Sequence, residues 1–209
     1  MNNPTLLLSE LEEDLLKELF NIGIGKAAAT LSRMIGQEIL LSVPDVTFQR
    51  SELLLTNFSE KNSIASISQS LKGKFSGEAV LLFPENSSLE VVKLLLGSRY
   101  SDEMLADLKQ EALVEIGNIV LNACVGAVAQ AMNGDFTLDI PNYNLASSSE
   151  ILNTYNINPN DPILLINIDL RLHESNVKGY LAFIFGPMSI NSLHETLKQL
   201  IATLHPTSK

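Results

Sequence analysis

Cysteine is nearly absent from this sequence: Cys124 is the single cysteine among 209 residues. One cysteine excludes an intrachain disulfide framework and fits a reducing compartment. Cysteine also behaves as a small apolar residue that is often buried, so we expect Cys124 to be a core residue rather than a nucleophile.

Basic residues are scarce too, with 14 Lys and Arg against 24 Asp and Glu and a formal net charge of −10. Nucleic-acid recognition depends on basic side chains that neutralise phosphates, so a nucleic-acid partner is excluded. The acidic balance favours protein partners with a basic face.

Targeting and membrane signals are also missing from the sequence. The N-terminal residues Met-Asn-Asn-Pro lack the basic and apolar regions of a signal peptide. We also expect no apolar run long enough to cross a bilayer. We therefore expect a cytoplasmic protein with no membrane partner.

What the sequence does contain is one pattern present twice: an acidic residue, then Glu four positions on, Asn three positions later and a more distant Pro. The copies are Asp14, Glu18, Asn21 and Pro44, and Glu111, Glu115, Asn118 and Pro141, at a constant offset of 97. A shared offset across four positions indicates an internal duplication.

Helical geometry predicts where these side chains lie. Positions i, i+4 and i+7 share one stripe of a helix, so each copy places its carboxylates and carboxamide on one face. An apolar stripe would face the core and leave Glu and Asn toward solvent. Its expected members are Leu11, Leu15, Leu19 and Ile22, and less cleanly Leu105, Ala112, Ile116 and Ile119.

Small residues extend the exposed side of the first helix beyond Asn21. Gly25, Ala28 and Ser32 would make this surface low and suited to the close approach of another protein. We expect Gly23 and Gly25 to serve close helix packing, because they lack the strand and loop context of a phosphate-binding loop.

Both halves predict the same order of elements. A capping box at Ser9 and Glu12 starts a helix that ends near Gly36, and Ser101 starts a second that runs to about Met132. Residues 46–55 have uncertain strand character, and the polar stretch after Pro141 through residue 149 is expected to be a loop. Hairpins are predicted over 63–84 and 164–185, and helices over 88–96, stopped by Gly97, and 189–204.

These elements predict an α/β (α+β) fold of pseudo-twofold symmetry. Antiparallel strands of both copies would build one sheet with the two long helices packed on one side. We expect one domain over residues 1–209, built of two repeats at approximately 9–97 and 101–205.

The duplicated pattern resembles the signature of the CheC family of chemotaxis phosphatases, which includes CheX and FliY. The resemblance covers nearly the whole chain. Because both copies keep their Glu and Asn, the chain resembles the two-site CheC type. Glu111 departs from the Asp or Ser that the family prefers at the leading position.

The resemblance implies hydrolysis of the aspartyl phosphate of a CheY-like response regulator, which terminates the chemotaxis signal. It implies that Asn21 and Asn118 orient the attacking water, and that Glu18 and Glu115 each pair with a Lys of the regulator. Asp14 and Glu111 would flank these motifs. An amide can donate and accept hydrogen bonds without a charge that repels phosphate.

No cofactor of its own is implied for the chain, since the Mg²⁺ would belong to the regulator. Glu111 and Glu115 at i, i+4 spacing could in principle hold a metal, but a divalent site needs more ligands. His173, His194 and His205 show no metal or triad spacing and are expected at the surface.

A non-catalytic function remains as the alternative. The chain could be an interaction module of a flagellar-switch or chemoreceptor complex, including one that binds the receptor deamidase CheD. FliM, the relative in the rotor, has the same core without the Glu and Asn pairs, so their presence here weighs against that alternative.

Overall fold

The computed structural model describes residues 8–58, 63–96, 101–147, 149–172 and 175–204. Within these residues, eight strands form one antiparallel sheet. The strands are β1 (Leu40–Ser42), β2 (Val46–Arg50), β3 (Ser63–Gly73), β4 (Gly77–Pro84), β5 (Phe136–Leu138), β6 (Asn142–Ser147), β7 (Pro162–Leu172) and β8 (Ser175–Phe185).

The sheet is symmetric about its central pair of strands, β4 and β8. Hairpins β3–β4 and β7–β8 meet there, with Leu81 opposite Leu181. On one side β1 and β2 both pair with β7, and on the other β5 and β6 both pair with β3. Each repeat therefore adds the strands that follow its long helix to the hairpin of the other repeat.

The longer helices cover one face of this sheet. The helices are α1 (Glu10–Ile35), α2 (Glu85–Leu96), α3 (Asp102–Ala131), α4 (Ile151–Thr154) and α5 (Pro187–Leu204), with a 3-10 helix at Ser51–Asn57. The main core lies between the sheet and α1, α2, α3 and α5. A smaller core on the opposite face packs the 3-10 helix and α4 against the sheet. The predicted antiparallel sheet with both long helices on one side is confirmed.

Local sequence sets the two ends of α1 as predicted. Ser9 and Glu12 form the capping box, and Gly36 ends the helix with a left-handed φ of 72°. The expected apolar stripe is partly wrong, because Leu11 is 57% exposed and Ile22 is 45% exposed. The buried face instead centres on Leu16, and at 100° per residue Leu11 and Ile22 lie roughly 120–140° away from it.

Small residues let α3 approach its neighbours closely. A Cβ placed on Gly23 of α1 would lie 2.7 Å from Cys124 Cα, so the prediction of close helix packing is confirmed there. It is wrong for Gly25, where a Cβ would meet nothing within 4 Å. Ala28, expected at the surface, is buried.

The expectation that no apolar segment is long enough to cross a bilayer is wrong for α3. Its segment Glu103–Ala131 is long and apolar enough, by length and composition alone, to cross a bilayer. Half of that apolar window is buried within the protein, against α1, α2 and the sheet. The buried half of this window thus serves the core of the fold.

Several predicted boundaries change in the structure. The polar stretch after Pro141 is not a loop but contains β6, which pairs with β3 from Ser63 to Ser68, so tertiary pairing overrides the weak local strand propensity. Residues 46–55 divide into β2 and the 3-10 helix, and α2 begins at Glu85. Gly97 lies outside the described residues.

Candidate functional site

The first copy of the motif lies on the exposed flank of α1. Glu18 and Asp14 are exposed, and Asn21 is half-buried. The side-chain oxygen of Asn21 accepts a hydrogen bond of 3.2 Å from the backbone N–H of Val43. This bond joins α1 to the segment that leads through Pro44 into β2. It therefore accounts for the presence of both Asn21 and Pro44 in the motif.

The second copy occupies the matching flank of α3, with Glu111 and Glu115 exposed and Asn118 half-buried. Here the side-chain oxygen of Asn118 accepts from Asn122 Nδ2 at 2.8 Å and from Gln69 Nε2 at 3.4 Å. Neither donor has a polar counterpart in the first copy: Gly25 stands at the offset of 97 from Asn122, and by strand register Ile168 matches Gln69.

The segment before the second proline is held differently from that in the first copy. Gln69, only 2% exposed, donates from Nε2 to the backbone oxygen of Asp139 at 2.8 Å. The residue before Pro141 is Ile140, which is 83% exposed, whereas Val43 is 3% exposed. The second site therefore presents an apolar side chain that the first site buries.

Both sites share one chemical arrangement despite these differences. Each carboxamide has its oxygen held within the protein, while its Nδ2 group donates to no described residue. Glu18 and Glu115 likewise make no ion pair or hydrogen bond with a described residue. A free amide donor beside a free carboxylate on an exposed helix face could receive an external phosphate-bearing, basic partner.

At the second site, α3 approaches the sheet closely at Gly117. A Cβ added to Gly117, directly before Asn118, would lie 2.4 Å from Ile67 Cγ2. Phe20 occupies the matching position of α1, so that helix has a bulky side chain where α3 has none. The missing side chain brings Asn118 within reach of Gln69, two residues along the same strand from Ile67.

The first turn of α1 contains a carboxylate–imidazole pair that was not predicted. His194 was expected at the surface, but its side chain is 14% exposed and Nδ1 lies 3.1 Å from Glu12 Oε1. Burial acts to raise the pKa of Glu12, but hydrogen bonds from Ser9 and His194 outweigh it and lower the pKa. His173 and His205 lie outside the described residues.

The remaining candidate groups show no second reactive centre. Cys124 is buried as predicted, and burial raises the pKa of its thiol to about 12. Across the described residues, no cluster of three or more His, Cys, Asp or Glu side chains could hold a metal ion.

Sequence reasoning missed the groups that hold the two carboxamides. Asn122 could have been found, because it lies one helical turn after Asn118 on the same stripe. Gln69 gives a weaker signal, as a polar residue within a buried strand. The Val43 backbone donor has no sequence signal, since every residue other than proline carries an N–H.

Similarity to known proteins is found first in sequence. The CheC-like family model matches residues 11–47, a segment that contains the whole first motif. The flagellar motor switch phosphatase FliY of Bacillus subtilis is 22% identical over 169 residues, which are 80% of this chain and 44% of FliY. The CheY-P phosphatase CheC of the same organism is 25% identical over 142 residues, which are 66% of this chain and 68% of CheC.

Solved structures show the same fold at low identity. Thermotoga maritima FliY superimposes with a TM-score of 0.75 and 19% identity, covering 93% of this chain and 100% of that one. FliM of H. pylori, from its complex with SpeE, superimposes with a TM-score of 0.67 and 13% identity, covering 93% and 98%. The chain therefore resembles the CheC-like family in sequence at residues 11–47 and shares the fold of FliY, which confirms the resemblance that its duplicated motif indicates.

Proposed function

We propose that this chain hydrolyses the aspartyl phosphate of a CheY-like receiver domain and so ends a chemotaxis signal. The observation that carries the proposal is the pair of equivalent helix faces, each with an exposed glutamate and a half-buried carboxamide whose Nδ2 has no partner among the described residues. The names of CheC and FliY, both phosphatases, support this activity. The alignment spans less than half of FliY, so its activity comes to this chain only as a proposal.

Asn21 and Asn118 orient the attacking water in this proposal. Hydrolysis of a phosphoryl group depends on in-line placement of the nucleophile and on stabilisation of charge, so a positioning group can suffice. A neutral amide adds no negative charge near the phosphoryl oxygens, whereas a carboxylate would repel them. Because both helices pack against one sheet, the two amides are held at fixed positions.

Glu18 and Glu115 anchor the receiver through a lysine on its surface. Both carboxylates are exposed and without a described partner, so a docking lysine displaces no internal ion pair. The net charge of −10 favours a partner with a basic face. Asp14 and Glu111 add negative charge one turn before each anchor. The proposal assigns the Mg²⁺ to the receiver and places the reaction in the cytoplasm.

A non-catalytic interaction module is the competing function. It is favoured by one observation: the fold is shared with FliM, so the fold alone does not identify a phosphatase. Such a module would bind a receiver, or a partner such as CheD, without shortening the lifetime of the phosphoryl group.

The test is the rate of phosphate loss from a phosphorylated CheY-like receiver of the source organism. The Asn21→Ala, Asn118→Ala double variant should lower the rate to that of the receiver alone, and each single variant should keep part of the activity. Gln110→Ala, an exposed change on α3, is the control and should act as the unchanged protein. Full activity in a folded double variant would refute the mechanism, and stable binding without acceleration would support the competing function.

A further inference from the structure

The orientation of the Asn21 carboxamide is fixed by a backbone group, which identifies its oxygen and its nitrogen. At the first site the neighbour of the Asn21 side chain is the Val43 N–H, which can only donate. The atom facing it must therefore be the oxygen of Asn21. The Nδ2 group is the other branch of the planar carboxamide, and it is not the atom that faces the Val43 N–H.

At the second site the same orientation is set through side chains. Asn122 Nδ2 lies 2.8 Å from the backbone oxygen of Asn118, and Gln69 Nε2 lies 2.8 Å from the backbone oxygen of Asp139. A backbone oxygen can only accept, so both groups are amino groups. Because both also face the same atom of the Asn118 side chain, that atom must be its oxygen.

We propose that Asn122 and Gln69 are positioning residues of the second site, and that they lock Asn118 with its Nδ2 donor facing the incoming phosphoprotein. The proposal rests on the proposed function and deepens it. The first site reaches the same orientation through a backbone N–H, and the matching side chains there, Gly25 and Ile168, offer no hydrogen bond. Side-chain substitutions can therefore change the rate of the second site alone.

An outward Nδ2 group suits the placement of a water molecule. It can donate to one lone pair of the water oxygen and leave the other lone pair for attack on phosphorus. If Asn118 rotated by half a turn about its terminal bond, its oxygen would take the place of Nδ2 and could no longer donate a hydrogen bond to the water. The lock therefore acts on the rate of the bound complex and not on docking.

The experiment uses the Asn21→Ala protein, in which only the second site is intact, and a phosphorylated CheY-like receiver. Adding Asn122→Ala should lower kcat roughly two- to tenfold, the effect of losing one net hydrogen bond, with KM unchanged. Adding Asn122→Asp should lower kcat further, because a carboxylate attracts the Asn118 amino group and reverses its orientation. Gln110→Ala in the same background is the control for a surface change on α3.

A double-mutant cycle separates positioning from a general effect on α3. In the Asn118→Ala protein, which keeps Asn21 and the activity of the first site, adding Asn122→Ala should cause no additional loss, because its target is gone. An equal loss in both backgrounds, a change confined to KM, or an Asp variant more active than the Ala variant would overturn the proposal. Activity that disappears with Asn21→Ala alone would show an idle second site and overturn it too.

The orientation can also be measured without any activity. In side-chain amide spectra, the Asn122 protons should exchange slowly with water and the Asn118 protons quickly, and Asn122→Ala should shift the Asn118 pair. Protected Asn118 protons would contradict the lock. If the double Asn variant keeps full phosphatase activity, the proposed function fails, while this spectrum still decides whether the lock exists.

Discussion

Gly117→Ala is the substitution that tests most sharply how the second site is built. The new Cβ would lie 2.4 Å from Ile67 Cγ2, whereas ordinary contact needs 3.4–4 Å. Either Ile67 or α3 must move by about 1 Å, the amount by which a misplaced group can lower a rate substantially. Ile67 is fully buried and paired with Leu81 and Tyr143, so the helix is the part more able to shift.

The size of the effect follows from two opposing terms. Alanine is better than glycine in a helix interior by about 1 kcal/mol. Overpacking a filled core costs about 1–3 kcal/mol. Gly126→Ala, on the same helix, should gain the helix propensity of alanine without the cost of overpacking, because a Cβ there meets nothing within 4 Å. The free energy of unfolding should therefore differ between the two variants by about 1–3 kcal/mol.

Urea unfolding of both variants measures this difference. Gly117→Ala should also lower the phosphatase rate of the Asn21→Ala protein, where Asn118 is the intact amide, and should affect the Asn118→Ala protein much less. The reasoning is wrong if Gly117→Ala is as stable as Gly126→Ala, since the close approach of α3 to Ile67 would then be unimportant.

Three further outcomes follow from the described contacts. Folding lowers the pKa of Glu12, so its stabilising effect is present above its ordinary value of 4.5 and is lost as the pH falls through the lowered value. Glu12→Gln should therefore be less stable than the unchanged protein in urea at pH 7, with the gap closing as the pH falls below 4.5. Cys124, with a pKa raised to about 12, should resist iodoacetamide at pH 8 and react once urea unfolds the chain; labelling of the folded protein would contradict its burial. Glu18→Lys and Glu115→Lys should raise KM for the phosphorylated receiver and weaken its salt dependence, and an unchanged KM would exclude their role as anchors.

The sequence predicted the parts of the fold that depend on local signals. The capping box of Ser9 and Glu12, the end of α1 at Gly36 and the alternating pattern of β7 all arise from interactions within a few residues. The strand β6 could not be predicted, because Asn142–Ser147 is polar and becomes a strand only through pairing with β3. The burial of His194 depends in the same way on a partner 182 residues away.

The candidate site was predictable in its residues but not in its geometry. The offset of 97 located Glu18, Asn21, Glu115 and Asn118, and their roles stay predictions. Ile22 was expected in the stripe that faces the core but is exposed, because an apolar residue can lie beside an exposed stripe as well as within a buried one. No pattern in the sequence shows that a backbone N–H holds one carboxamide and two side chains hold the other.

The central claim is that two neutral carboxamides accelerate loss of phosphate from a receiver domain. The most direct measurement is single-turnover dephosphorylation with the Asn21→Asp, Asn118→Asp protein, which keeps the shape of both side chains and changes their charge. The account predicts that acceleration is lost, since both carboxylates repel the phosphoryl group. A folded Asp variant that dephosphorylates the receiver as fast as the unchanged protein would contradict it.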